Sequence, residues 1–188
     1  TTMTATFRTS KTLGSIDPGK PHVILVGLPG AGKSTVGMLL ATKLARTFLD
    51  FDLEIERREG MPVTQIFGER GEPGFRELER KLTEELREFG NMVLAPGGGW
   101  VADPDVVGLL RPPAKLVYLR VKPETALRRL AGEAGSRPLL NRPDPMAEIN
   151  KIFESRKSAY QSADLEVGAE LITPEQVTGE IITKLSLA

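Results

Sequence analysis

Beyond residue 20 the chain alternates between short apolar runs and longer stretches whose apolar positions recur three and four residues apart. His22-Val23-Ile24-Leu25-Val26 is a largely apolar run that ends in glycines, the pattern of a strand buried on both faces of a parallel sheet. Ser34 to Ala45 follows, with Val36, Leu39, Leu40 and Leu44 at helical spacing. Further runs at Thr47 to Asp50, Met92 to Ala95 and Ala114 to Val121 are separated by helical patterns at Gly74 to Phe89 and Pro123 to Ala131. This alternation predicts an α/β fold, a parallel sheet with helices on both faces. A last helix is signalled by Thr173 as cap, Pro174 at its first position and Gln176 completing a capping box.

Two segments fall outside that rhythm. Thr1 to Lys20 is rich in Thr and Ser, has few charges and shows neither periodicity, so residues 1–20 are expected to form a disordered tail before a single domain over 21–188. A transit peptide is the sharper alternative, but Arg is not enriched there and the segment soon meets the turn Asp17-Pro18-Gly19. Ala131 to Pro145 holds two Gly and three Pro yet carries Arg137 and Arg142, and it is longer than an ordinary connection. It is expected to be a mobile lid.

Composition narrows the chemistry. The 188 residues suit one compact domain with a true hydrophobic core. Zero Cys excludes thiol catalysis, Cys-ligated zinc and iron-sulfur clusters, and a single His excludes multi-His metal sites. Any metal must be held by oxygens. The 25 basic and 25 acidic residues cancel, so no global field favours nucleic acid or an anionic membrane. No apolar run approaches the roughly 18 residues of a membrane span, and the N-terminus lacks the apolar core of a signal peptide. The expectation is a cytoplasmic protein with neither nucleic acid nor membrane as partner.

Gly27-Leu28-Pro29-Gly30-Ala31-Gly32-Lys33-Ser34 satisfies G-x-x-x-x-G-K-[ST], follows a predicted strand and opens a predicted helix. Glycines let successive backbone N–H groups turn inward around phosphate oxygens, with the positive helix end behind them. Lys33 adds a point charge, and the Ser34 hydroxyl suits Mg²⁺, which prefers oxygen ligands and retains waters. A nucleoside triphosphate is the expected ligand. GTPases read their base with N-K-x-D, which is absent from the chain, and motor-type ATPases need more residues than this. A small kinase needs a carboxylate near the acceptor hydroxyl, cations for the acceptor's own charge and an arginine for the moving phosphoryl group. Asp50 and Asp52 stand at the C-terminal end of the second strand, where open parallel sheets place their sites, and on an extended backbone they would share one side. Asp52 could equally cap a helix ahead of Glu54, Ile55 and Glu56.

Behind the phosphate loop come, in order, Phe48-Leu49-Asp50-Phe51-Asp52, Gly71-Glu72 with Phe75-Arg76 and Glu79, Gly97-Gly98-Gly99, Arg137-Pro138-Leu139-Leu140, and Arg156 four before Tyr160. From Val23 to about Leu185 the chain resembles shikimate kinase. The resemblance implies the P-loop kinase fold of the nucleoside monophosphate kinase type, a five-stranded parallel sheet in the order 2-3-1-4-5 with helices on both faces. It also implies transfer of the ATP γ-phosphate to the 3-hydroxyl of shikimate by a monomer, in the pathway to chorismate and the aromatic amino acids. By the same resemblance, Asp52 contacts the shikimate hydroxyls and acts as base, while Arg76, Arg156, Gly98 and Gly99 hold the acceptor. ATP would be bound by Gly30, Ala31, Gly32, Lys33, Ser34, Thr35, Arg129, Arg137 and Pro174. Lys33 and Arg137 would act on the phosphates, and Ser34 and Asp50 would serve Mg²⁺. Two competing readings share the fold: another small-molecule P-loop kinase, acting on gluconate or a nucleotide, and a non-catalytic ligand-sensing domain.

The chain departs from the family pattern at Phe51, at Ala95-Pro96, at Trp100, at Ser158-Ala159 and at Ile172-Thr173. None of these removes a charged group. Trp100, the only Trp, follows the three glycines and is expected within a few ångströms of the acceptor or the closing lid; the plainer alternative is a core position.

Overall fold

β1 (Val23–Val26) is buried at every position because it runs through the middle of the sheet, between β3 (Met92–Ala95) and β4 (Lys115–Arg120), parallel to both. In the computed structural model, which describes residues 19–133 and 138–187, β2 (Thr47–Asp50) and β5 (Leu165–Gly168) complete a five-stranded parallel sheet. Its order is β2-β3-β1-β4-β5, as the resemblance implies. The register sets Val23 against Val93 and Lys115, and Asp50 against Ala95. Central strands are therefore apolar on both sides, which is why the sequence reads there as runs rather than as alternation.

The strands are joined through α1 (Lys33–Leu44), α2 (Phe51–Glu59), α3 (Val63–Leu86), a 3₁₀ turn at Trp100–Ala102, α4 (Pro104–Val107), α5 (Pro123–Ala131), α6 (Pro145–Gln161) and α7 (Pro174–Leu185). Helix α1 packs on α7, and α5 packs on α6. The capping box of α7 is present: Gln176 N–H donates to Thr173 Oγ1 at 3.2 Å, and Thr173 N–H donates to Gln176 Oε1 at 2.8 Å. The single His is a core residue. His22 Nε2 bonds the Leu86 carbonyl at 3.0 Å and Met92 N–H donates to Nδ1 at 3.3 Å, which ties the end of α3 to the start of β3. Burial pulls its pKa below the usual imidazole value, so it is held neutral.

Two expectations need correction, and one helix was not foreseen. The helix expected over residues 74–89 is longer and broken: α3 starts at Val63, interrupts at Gly71 (φ 67°, ψ −179°) and ends at Leu86. Helix α2 shows no apolar stripe in the sequence, since it buries only Phe51 and Ile55. Lastly, Asp50 and Asp52 do not share one side of an extended backbone. The strand stops at Asp50, whose carboxylate caps α2 by accepting from Leu53 N–H at 3.2 Å, and Asp52 already lies in the first helical turn. Asp50, not Asp52, is the cap.

The loop leaving β1 leads over β3 towards β2, whereas the loop leaving β3 leads over β1 towards β4. Neighbouring strands whose exits diverge open a crevice at their C-terminal ends. The phosphate loop forms one bank of this crevice and Gly97-Gly98-Gly99 the other.

Candidate active site

The phosphate loop has the backbone that its sequence requires. Gly30 (φ +84°) and Gly32 (φ +93°) take left-handed conformations, and a methyl group on Gly30 would drive into the Ala126 carbonyl of α5. Gly32 is the N-cap of α1, so the free N–H groups of the first turn face the loop. Lys33 Nζ reaches back and donates to the carbonyls of Gly27 and Leu28, at 2.8 and 2.9 Å. Burial is the main force pulling its pKa down to about 8, with Arg156 adding to the effect and Asp52 and Asp50 opposing it. Ser34 Oγ donates to Asp50 Oδ2 at 2.9 Å, which links the start of α1 to the end of β2.

Across the crevice, each of the three glycines backs onto a charged side chain. A methyl group built at Gly97 would lie 2.5 Å from Glu79 Oε1 and 3.1 Å from Asp52 Oδ1, and one at Gly98 would lie 2.8 Å from Arg156 Nη1. At Gly99 it would overlap the guanidinium of Arg76. Only residues without a side chain allow these approaches. Asp52, Arg76, Glu79 and Arg156, from α2, α3 and α6, thus converge on one loop. A narrow cleft joins Gly97 and Gly98 to Gly27 and Lys33 on the opposite bank.

The cluster is electrostatically poised. Burial, reinforced by Asp50 and Glu56, pushes the Asp52 carboxyl up to about 6 against the pull of Lys33 and Arg76. Arg76 pairs with Glu79, which is 2% exposed, and reaches Glu72 at 3.3 Å. The two partners stand four residues before and three after Arg76, the spacing of one helix face, but Glu72 is exposed and Glu79 is a core residue. Burial pushes the Glu79 carboxyl up as well, opposed chiefly by Arg76. Asp52 Oδ1, Glu79 Oε1 and Arg156 Nη1 are each shut off from solvent without a hydrogen-bond partner. Groups left in that state are costly unless a ligand completes them.

The remaining expected residues divide. Thr35 is exposed on the first turn of α1, and Pro174 is exposed as the first residue of α7. Arg129, in the last turn of α5, donates to the Ala169 carbonyl at 2.6 Å and so reaches the loop that leads to Pro174. Arg137 lies outside the described residues, as do 134–136 of the expected lid and 1–18 of the expected tail. The described parts of the lid are the end of α5, a 3₁₀ turn at Pro138–Asn141 and the approach to α6, which Asp144 caps. The Trp100 side chain takes the core position that was the plainer alternative. It is 1% exposed, because the 3₁₀ turn after the glycines directs it into the core. Among the described residues no helix is long and apolar enough to cross a membrane.

A family model described as shikimate kinase matches residues 29–186. The chain belongs to the shikimate kinase family. It is 41% identical over 164 residues to a shikimate kinase of Sulfurihydrogenibium sp. (strain YO3AOP1), covering 87% of this chain and 97% of that relative. It is 42% identical over 167 residues to one from Chromohalobacter salexigens, covering 88% and 92%. Among solved structures, the shikimate kinase from Acinetobacter baumannii in complex with shikimate has a TM-score of 0.82 at 33% identity, covering 89% of this chain and 93% of that one. A gluconokinase from Sinorhizobium meliloti has a TM-score of 0.55 at 16% identity, which shows a common fold alone.

Glu79 stands in the sequence only as part of the motif around Arg76, with no role of its own. Its position three residues after Arg76 was the available signal; its burial beneath Gly97 was not visible without the fold.

Proposed function

We propose that this protein transfers the γ-phosphate of ATP to the 3-hydroxyl of shikimate, giving shikimate 3-phosphate and ADP. Membership of the shikimate kinase family supports the reaction. The observation that supports the residue roles is the approach of Asp52, Arg156 and Arg76 to three consecutive glycines, across the crevice from Lys33.

In this scheme Arg76 and Arg156 grip the shikimate carboxylate, with the backbone of Gly98 and Gly99 beside them. Planar guanidinium groups suit a carboxylate because each can donate two parallel hydrogen bonds. Asp52 then faces the hydroxyls and accepts the 3-hydroxyl proton as that oxygen attacks phosphorus in line. A carboxyl raised to about 6 is still mostly ionised at neutral pH and is a stronger base than an ordinary aspartate. The backbone N–H groups of Gly30, Ala31 and Gly32, with Lys33, Ser34 and Thr35, hold the phosphates, and a bound triphosphate would draw Lys33 Nζ from its carbonyl partners. Arg129 and Pro174 line the nucleotide, and Arg137 completes the phosphate contacts from the lid.

Kinases of this class use a divalent cation, and the residues fit Mg²⁺. Ser34 and Asp50 put two hard oxygens 2.9 Å apart beside the phosphate loop. Among the described residues no three acidic or histidine side chains are placed to hold a metal ion together, and two protein oxygens suit an ion that keeps waters and phosphate oxygens. Ser34 would hold the ion directly and Asp50 would orient Ser34 and a bound water; the ion would neutralise charge on the phosphates. The reading takes the protein to act as a monomer in the cytoplasm, where ATP is available. ADP release measured with shikimate, gluconate and nucleoside monophosphates tests the assignment. Turnover with shikimate alone is the expected outcome, and release with another acceptor instead would overturn it.

A further inference from the structure

The groups around the glycine loop come from three distant stretches of chain, and two of them repel. Asp52 and Glu79 both lie against Gly97, each with its pKa raised. Like charges at that spacing push apart, so the backbone behind them must be fixed by something other than their own attraction. Trp100 touches the glycine loop and two of these stretches, the one that carries Asp52 and the one that carries Arg76 and Glu79. Its backbone N–H donates to the Gly97 carbonyl at 3.0 Å and closes the glycine turn. Its ring meets Phe51, the fully buried neighbour of Asp52, edge-on at 6.3 Å and 76°. Its indole Nε1–H donates at 3.0 Å to Thr83 Oγ1, and Thr83, itself fully buried, donates at 2.7 Å to the carbonyl of Glu79 one turn earlier.

We propose that Trp100 is a positioning residue for the acceptor site, locking the glycine loop, the Asp52 turn and the Arg76–Glu79 segment into one unit from the core side. A residue that merely filled space would not need an oriented hydrogen bond. Here the indole N–H fixes the rotation of the ring, the ring fixes Phe51, and the two bonds at Thr83 pass the constraint to the turn of α3 that carries Arg76 and Glu79. The inference rests on the shikimate-phosphorylating reading above.

Two conservative variants test it. Trp100→Phe keeps an aromatic ring but removes the donor, and Thr83→Val keeps the shape but removes the acceptor together with its own bond to the Glu79 carbonyl. Each should raise the KM for shikimate by about fivefold or more, in line with the loss of at least one buried hydrogen bond, while the KM for ATP stays within about twofold, since no phosphate contact is touched. The double variant should cost little more than Thr83→Val alone, because the Trp100–Thr83 bond is already broken there. A purely structural role would lower thermal stability and leave the two KM values in their wild-type ratio. That result in either folded variant would overturn the proposal. Failure of the wild-type protein to phosphorylate shikimate would instead remove the reading beneath it, so the two failures are distinguishable.

Discussion

At the scale of single residues, the site is defined by charges that the fold makes uncomfortable. Asp52 titrates near 6 because burial and two neighbouring carboxylates disfavour its ionised form, and Lys33 near 8 because burial disfavours its charge. If Asp52 must be ionised and Lys33 protonated, kcat/KM should be bell-shaped, with an acid limb near 6 and an alkaline limb near 8 in the free enzyme. A profile flat through the acid limb would remove Asp52 as base. Asp52→Asn should cut kcat by roughly 10²–10⁴ and leave ATP binding nearly intact. The same substitution should stabilise the unliganded protein at neutral pH. The folded-state pKa lies above the unfolded one, so the folded form binds protons more tightly and loses stability as pH rises from about 3.8 through about 6. Removing that ionisation recovers up to about 2–3 kcal/mol, measurable by urea unfolding at pH 7.5.

The two arginines should separate in the same experiment. Truncating Arg76 or Arg156 to Ala should lower kcat/KM for shikimate by roughly 30-fold or more, and Lys should not restore it. Arg76→Ala alone should also destabilise the fold, because it strands the buried Glu79 carboxylate. Equal stability losses for both variants would contradict the assigned pairing. The convergence of Arg76, Arg156 and Asp52 on the glycine loop was legible in the sequence, because their spacing and order follow a family pattern. Glu79 as a buried counter-charge was not, since helical spacing places it beside Arg76 without saying which side of the pair faces the core.

At the scale of elements, the strands and the phosphate loop were readable because buried parallel strands are apolar throughout and the loop needs glycine at fixed positions. What escaped was the region where packing is thin. Helix α2 and the first half of α3 bury three side chains between them, Phe51, Ile55 and Ile66, too few to print a periodicity. They are held instead by ion pairs: Arg58 bonds Glu54 at 2.7 Å and Glu85 at 2.9 Å, and Arg70 bonds Glu59 at 2.6 Å. Pair partners 11 and 27 residues apart, counted from these numbers, leave no local signature. Trp100 could be read either way for a related reason, since a 3₁₀ turn of three residues decides whether its side chain meets the crevice or the core.

The glycine loop offers an element-scale test. Gly97→Ala must displace the buried, Arg76-bound Glu79, whereas Gly98→Ala meets only the far end of Arg156. The Gly97 variant should therefore lose most activity with shikimate, by about tenfold more than the Gly98 variant if the clash costs on the order of 1.4 kcal/mol extra. Kinetics of the two purified variants decide the order, and a harsher effect at Gly98 would contradict the packing beneath the loop.

At the scale of the whole molecule, the strand order explains why phosphate and acceptor chemistry face each other. Inserting β1 between β3 and β4 makes the exits of β1 and β3 diverge, and the two Gly-rich segments occupy the two banks of the resulting crevice. The central claim is that the acceptor held on the second bank is shikimate. It is tested most directly by mixing the purified protein with Mg²⁺ and ATP, supplying shikimate, gluconate or a nucleoside monophosphate in separate reactions, and following ADP release together with the phosphorus spectrum of the product. The account predicts stoichiometric ADP and a new phosphate monoester on the 3-oxygen with shikimate, and neither with the other acceptors; a monoester on gluconate or a nucleotide, with shikimate left untouched, would contradict it.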